Sequence, residues 1–436
     1  MRKIQIKENY EYWYFENQRE FFSELDALLE DGYKITDSIH LCVEVSKGDT
    51  AILLSYVEVQ LVDENIKDTL RAMDLDPKLV KPDYHQCILN TIASILKNLG
   101  QDSLYTEDQR MTKILNEKNY KNTIIMLLDG LGENILEHNT EEQCFLKQYH
   151  AYTNVAIYPS TTAASTTATK NGLSPITTGW TGWENYFREV DRNLTLFHGK
   201  NYVTDEPTGF DTYKALPYQL FYQELEVIEP DFSNPDRKFK DVLDRSLDQL
   251  SKGKGIQYVY HQDPDHTMHE FGAYSEEACL SLKEINRELE EYVKKIPSDT
   301  LLIISADHGH TNVTPIELYS CKTIQKMLNR RPSNDSRCIT FSVKEEYKDV
   351  FMTTFQALFG YAYDIYPTQE LIDQEFFGQK QDIPSPRVKD FLADFVAIGT
   401  KNYYFNYKGE DNMVFKSHHA GITADEMLVP VIIFRK

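Results

Sequence analysis

The sequence predicts an α/β fold built on a mostly parallel sheet, on three observations. Residues 123–128 (TIIMLL) and 301–304 (LLII) are unbroken apolar runs, the pattern of strands covered on both faces. Residues 256–260 (IQYVY) supply a third strand signal. Each run leads into an acid or imidazole motif: Asp129-Gly130, Asp307-His308-Gly309, and Asp265 with His269 four residues on. In open α/β sheets ligands bind beyond the carboxyl ends of the strands, so such groups converge without being close in sequence.

Along the chain, the first 80 residues form an N-terminal extension. It has an aromatic-rich start at 10–15, an amphipathic stretch at 18–29 and strand-like alternation over 51–61. It reads as a small appended α+β domain, an oligomerisation arm or padding of the core. Residues 83–99 carry the 3.6-residue apolar period of a helix ending at Gly100 and open the main domain, 81–436. A β-branched run at 153–157 meets Pro159, and small residues after Thr162 are compatible with a helix starting there. That start places the threonine hydroxyl at the positive end of the helix dipole, with a plain N-cap as the alternative. Two stretches are candidate caps, 178–235 and 315–387. In the first, Trp180 and Trp183 lie among glycines, a composition suited to substrate contact, with core packing as the alternative. In the second, the basic residues of 326–331 read as a solvated helix end or a receiver for an anionic substrate tail. Residues 276–295 predict a second strong helix.

The side chains after the strands define a chemistry. Asp129, Asp265, Asp307, His269, His308 and His419 offer carboxylates and imidazoles in equal number with no cysteine beside them. Such a set suits Zn2+, with Mn2+ as the alternative, and disfavours Ca2+. Together with the Thr162 hydroxyl it is too large for one tetrahedral ion, and two ions about 4 Å apart form the clamp of an in-line displacement. A metal-bound threonine at a helix N-terminus is a competent nucleophile without a histidine base.

The order Asp129-Gly, Tyr158-Pro-x-x-Thr162, Pro264-Asp265-x-x-x-His269-x-x-Gly272, Asp307-His308-Gly309 and a late His419 resembles the alkaline phosphatase superfamily, most of all its nucleotide pyrophosphatase/phosphodiesterase branch. The resemblance spans about 82–436 and implies a three-layer α/β sandwich with inserted caps. It implies one metal at Asp129, Thr162, Asp307 and His308, a second at Asp265, His269 and His419, and Thr162 attacking phosphorus. His418 is the alternative last ligand. Ser165 stands where the family's phosphate-binding asparagine is usual, and Ala163 where an aromatic often stacks on a base. Tyr260 keeps the other half of that base clamp. No Cys/Ser-x-Pro-x-Arg motif surrounds Thr162, which excludes the sulfatase branch, and no arginine follows it before Arg188, which disfavours monoesters. The implied function is a metal-dependent hydrolase of phosphodiester or pyrophosphate bonds in small, nucleotide-type substrates through a phospho-threonine intermediate. The alternatives are a phosphomonoesterase or phosphonoacetate-type hydrolase on the same metals, or a scaffold protein retaining the fold.

Composition sets the outer bounds. A net charge of −22 opposes binding to nucleic-acid polymers and anionic membranes, whereas small phosphate-containing anions answer to the local metals. No 18-residue apolar span and no export signal are evident. Six cysteines scattered without pairs fit a reducing compartment, so a cytoplasmic enzyme is expected.

Overall fold

Six strands make the central sheet, in the order Glu226–Ile228, Ile256–His261, Asn122–Leu128, Thr300–Ser305, Leu428–Arg435 and His150–Val155. The first four are parallel. The 428–435 strand is antiparallel to both neighbours, so 150–155 returns to the common direction. This computed structural model describes residues 1–60, 62–73, 76–234, 237–410 and 413–436.

The apolar runs are continuous because both sheet faces are covered. Ile124, Met126, Leu128, Leu302 and Ile304 pack on one side against Leu282, Ile285 and Leu289 of the helix Glu276–Lys295. The alternate residues Ile125, Leu301 and Ile303 pack on the other side against Ile92, Ile95 and Leu96 of the helix Ile88–Asn98. Three layers result, each fully buried Leu or Ile contributing about 1.5–3 kcal/mol. The helix predicted from residue 83 starts at Ile88 because Asp83 Oδ1 holds a turn through the His85 N–H and the Asn90 side chain caps the Cys87 N–H. The 51–61 alternation ends as the strand Thr50–Ser55: Ser55 Oγ accepts from the Val57 N–H at 3.0 Å and turns the chain. Leu61 lies outside the described residues.

Strands from the two cap stretches, separate in sequence, join Phe395–Gly399, which lies beyond the second, in one sheet. Its order is Tyr363–Pro367, Phe395–Gly399, Cys338–Phe341, Ser333–Asn334, Glu184–Phe187 and Arg192–Thr195. Residue 235, at the edge of the first stretch, lies outside the described residues. The buried Arg337 guanidinium pairs bidentately with Glu426 and so ties this cap sheet to the loop carrying His419. The N-terminal strands form a five-stranded sheet of their own. With the helix Gln18–Glu30 they share one hydrophobic cluster with residues 316–407, and the Gln18 amide bridges the Pro315 carbonyl and the Glu317 N–H.

Glu184 opens its strand with no exposed surface. Its Oε1 accepts from the Tyr407 hydroxyl at 2.8 Å, and its Oε2 has no partner among the described residues. Burial pushes this carboxyl up to about 8, against 4.5 in the unfolded chain. The folded state therefore keeps a proton that the unfolded state loses, and the group's contribution is complete below pH 4.5 and lost as pH rises to about 8. Glu184→Gln, similar in shape but uncharged, is expected to match the wild type in Tm near pH 5 and to exceed it increasingly toward pH 8. Parallel Tm profiles for the two chains would contradict the assignment.

Candidate metal centre and active site

The site is assembled from strand ends. Asp129 follows the 122–128 strand, its N–H donating to the His261 carbonyl and its own carbonyl accepting from the Asp265 N–H at 3.0 Å. Gly130 has φ +74°, and a Cβ there would lie 3.0 Å from Asp265 Cβ and Met268 Cε, so only glycine lets these two loops close on each other. Its N–H donates to Asp307 Oδ1 at 3.1 Å, adding the third loop.

Thr162 is the first residue of the helix Thr162–Asn171, whose ten residues are all buried. Its Oγ1 lies 3.3 Å from Asp129 Oδ2 and 3.3 Å from His308 Nε2. The helix Asp265–Phe271 puts Asp265 and His269 on one face, Oδ1 to Nε2 3.3 Å. Antiparallel pairing of Thr311 with His418 brings in the last loop, and His419 Nε2 comes within 3.6 Å of Asp265 Oδ1. The His308 and His419 rings stack at 3.7 Å, linking the two halves.

The donor set fits divalent cations. His269 Nδ1 lies 2.9 Å from the Ser417 carbonyl, His308 Nδ1 3.0 Å from that of Gly309 and His419 Nδ1 3.0 Å from that of Ser160. A carbonyl only accepts, so each Nδ1 carries hydrogen, and each neutral ring turns a bare Nε2 lone pair toward the carboxylates. Asp307 Oδ2 is buried without a hydrogen-bond partner among the described residues. Lone pairs facing carboxylate oxygens require a positive charge between them. Without a metal, protons take that place: burial, then the charges of Asp307 and Asp265, raises the Asp129 carboxyl well above the carboxylate range. Burial disfavours the His269 imidazolium, yet Asp265 outweighs it and raises the ring. Two ligand groups emerge, Asp265 with His269, His310 and His419, and Asp129 with Asp265 and His308. Asp307 Oδ2 stands 3.7 Å from His308 Nε2 beside the second group. His418 belongs to neither group: its Nδ1 lies 2.9 Å from the His419 nitrogen and 3.0 Å from the His419 carbonyl oxygen, and its ring packs against Tyr404 and Phe415.

Three expected substrate contacts have other partners in the structure. Ser165 Oγ, in the first turn of a buried helix, donates to the Asp307 carbonyl at 2.8 Å and so braces the loop of Asp307. Tyr260 gives its hydroxyl to Asp129 Oδ2, which orients that carboxylate and removes the ring from any base clamp. Trp180 has no exposed surface and packs among Phe197, Tyr213 and Tyr218. Trp183, in contrast, is 40% exposed and lines the cleft beside Thr162.

That cleft, about 280 Å³, also takes Tyr202, Asp335, Tyr407, Lys408 and Phe415. Sequence reasoning missed Asp335, a buried acid that accepts from Thr161 Oγ1 at 2.9 Å and the Ser336 N–H at 2.8 Å. Burial pushes it up to about 6. No motif marks it, since the cap sheet alone carries it to the site. His310 was missed as well, although the alternation His308-x-His310 after a strand was a signal. Of the basic patch, Arg330 covers the Tyr186 ring, and Arg331, itself exposed, donates to the carbonyls of Tyr407 and Lys408 in the cleft wall.

A mostly parallel sheet with carboxylates and imidazoles gathered beyond its carboxyl edge, and a hydroxyl at a helix start among them, is the arrangement of an alkaline phosphatase-like hydrolase of phosphoric esters. Residues 123–422 match the family model described as type I phosphodiesterase / nucleotide pyrophosphatase, and the chain belongs to that family. Among solved structures, murine and human ectonucleotide pyrophosphatase/phosphodiesterase 5 each superpose with a TM-score of 0.54 at 14% identity, over 72% of this chain and 89% of theirs. The murine protein is an inactive variant in complex with AMP. Phosphonoacetate hydrolase from Sinorhizobium meliloti, in complex with phosphonoformate, gives 0.53 at 14% identity, over 72% of this chain and 89% of its own. At these identities the likeness is one of fold. Curated protein sequences give no match. No helix among the described residues is long and apolar enough to cross a membrane.

Proposed function

We propose that the chain is a two-metal phosphodiesterase or nucleotide pyrophosphatase acting on small nucleotide-type substrates through a phospho-threonine intermediate. The observation that carries this reading is Thr162 Oγ1 at the start of a buried helix, 3.3 Å from both Asp129 Oδ2 and His308 Nε2. Asp129, Thr162, Asp307 and His308 would hold one cation, Asp265, His269 and His419 the other, with Zn2+ favoured by the donors. Such ions, when bound, supply charge neutralisation at phosphorus and an activated hydroxyl. Thr162 Oγ1 attacks phosphorus; the Thr162 O–P bond forms, the bond to the leaving oxygen breaks, and the hydroxyl proton passes to the neighbouring acceptors. Water then cleaves the Thr162 O–P bond, releasing the phosphate product and restoring the threonine.

The leaving group enters the cleft beside Trp183, Tyr202 and Tyr407, aromatic surface fitted to a base or another flat group. Asp335 and the absence of arginine among the described lining residues oppose a dianionic monoester. Six cysteines that form no disulfide among the described residues support a reducing, cytoplasmic setting. A second reading, cleavage of a phosphonate, is favoured by Ala163, which is buried beside Trp180 and offers no stacking face.

Hydrolysis of p-nitrophenyl thymidine monophosphate, p-nitrophenyl phosphate and phosphonoacetate, each with and without chelator, tests the choice. Chelator-sensitive cleavage of the diester above the other two is expected. Preference for the monoester or the phosphonate would replace the reading, and activity indifferent to chelator would remove its metal basis.

A further inference from the structure

His310 lies outside the seven ligands assigned above, yet it sits at the centre of one group. Its ring is fully buried, and its Nε2 is 2.6 Å from Asp265 Oδ1, shorter than the distances from Asp265 to His269 and His419. Its Nδ1 lies 2.8 Å from Ser417 Oγ, and Ser417 Oγ donates its single hydrogen to the Met268 carbonyl at 2.6 Å. Toward His310 the serine therefore only accepts, so the hydrogen of a neutral imidazole resides on Nδ1 and Nε2 is a lone pair. That lone pair faces the same carboxylate oxygen as those of His269 and His419, and the three ring centroids stand 4.7 to 5.2 Å apart around it.

We propose that His310 is a fourth protein ligand of the second metal, with Asp265, His269 and His419. The proposal rests on the two-metal reading above. Four protein donors complete a tetrahedral shell, which is the arrangement of a tightly held ion, and a substrate oxygen must then enter as a fifth donor. With His310 the second ion has four protein donors, as many as Asp129, Thr162, Asp307 and His308 offer the first; without it the second ion has three. The rival arrangement is an imidazolium that only hydrogen-bonds Asp265 and orients it.

The test is a competition between the full-length, metal-loaded protein and a chromophoric chelator, with metal counted per chain, and the visible spectrum of the Co2+-substituted protein. The wild type should bind and release two ions per chain. His310→Asn keeps an amide donor for Ser417 but has no group at the Nε2 position. It should weaken one of the two sites by about tenfold or more and change the intensity of its Co2+ bands, with the other site unmoved. Unchanged affinity, or reduced affinity with unchanged Co2+ bands, would reduce His310 to a positioning residue. A wild type that binds no metal would overturn the two-metal reading itself. If His310→Asn fails to fold, His310→Ala, which likewise leaves no group at the Nε2 position, gives the same comparison.

Discussion

Thr162→Ala is expected to lower kcat/KM by at least about 10³-fold while each chain still takes up two metal ions. The methyl group removes the one hydroxyl that faces Asp129 and His308, whereas the remaining carboxylates and imidazoles keep their places. The neighbouring hydroxyls cannot readily substitute, because Thr161 Oγ1 donates to Asp335 and Ser160 Oγ donates to the Gly421 carbonyl. Product formation in rapid-quench experiments, together with metal analysis of the same sample, checks both halves. More than a few per cent of residual turnover would move the nucleophile to Thr161 or Ser160.

Chelation should be nearly as severe, and it should act on stability as well as activity. Asp129 and Asp307 are buried and Asp265 half-buried within one centre, and Asp307 Oδ2 lacks a hydrogen-bond partner among the described residues. Removing the cations leaves like charges facing one another in a medium where they repel strongly. At a thousandfold excess over Kd each ion contributes about 4 kcal/mol, so loss of both is expected to lower Tm by on the order of 10 °C, reversed by added Zn2+. The pH dependence has a definite sign. The raised Asp129 and His269 groups of the metal-free protein hold protons at the metal positions, and the stability those protons give is lost as pH rises through the folded values. Protons compete with metal at low pH, so the Tm gap between loaded and chelated protein should widen from pH 6 to pH 8. Scanning calorimetry of both forms measures it; a gap constant across that range would refute proton–metal competition at Asp129 and His269.

Much of the architecture was legible because the relevant signals are local. The runs at 123–128 and 301–304 are apolar at every position because helices cover both faces of the sheet, and that burial leaves no polar phase to confuse the reading. The 276–295 helix was equally plain, with Ser275 as its cap and an apolar stripe toward the core. Boundaries were lost where a side chain took over the backbone's hydrogen bonds, as Asn90 does before the 88–98 helix and Ser55 after its strand. Asp129, Asp265 and Asp307 could be picked out as candidates because each comes just after a strand, and the parallel sheet brings those strand ends to one edge.

Substrate contacts were another matter. Tyr260 and Trp180 were read from position and composition, and neither property tells which way a ring points. Tyr260 is claimed by Asp129 and Trp180 by a cluster of aromatic rings. Asp335 arrives from 173 positions beyond Thr162 on a cap sheet that two distant segments build together, and Arg331 donates to the Tyr407 carbonyl of the same wall. His310 stood in plain view beside His308, but its importance depends on Ser417 having given its only hydrogen to Met268. The amino-acid sequence by itself determined the parallel sheet, the covering helices and the residues at the strand ends, since periodicity and burial are properties of short segments. The tertiary structure alone decided which hydroxyl is free, which histidines share a carboxylate and which side chains wall the cleft, because each of these follows from hydrogen bonds and packing between segments far apart in the chain.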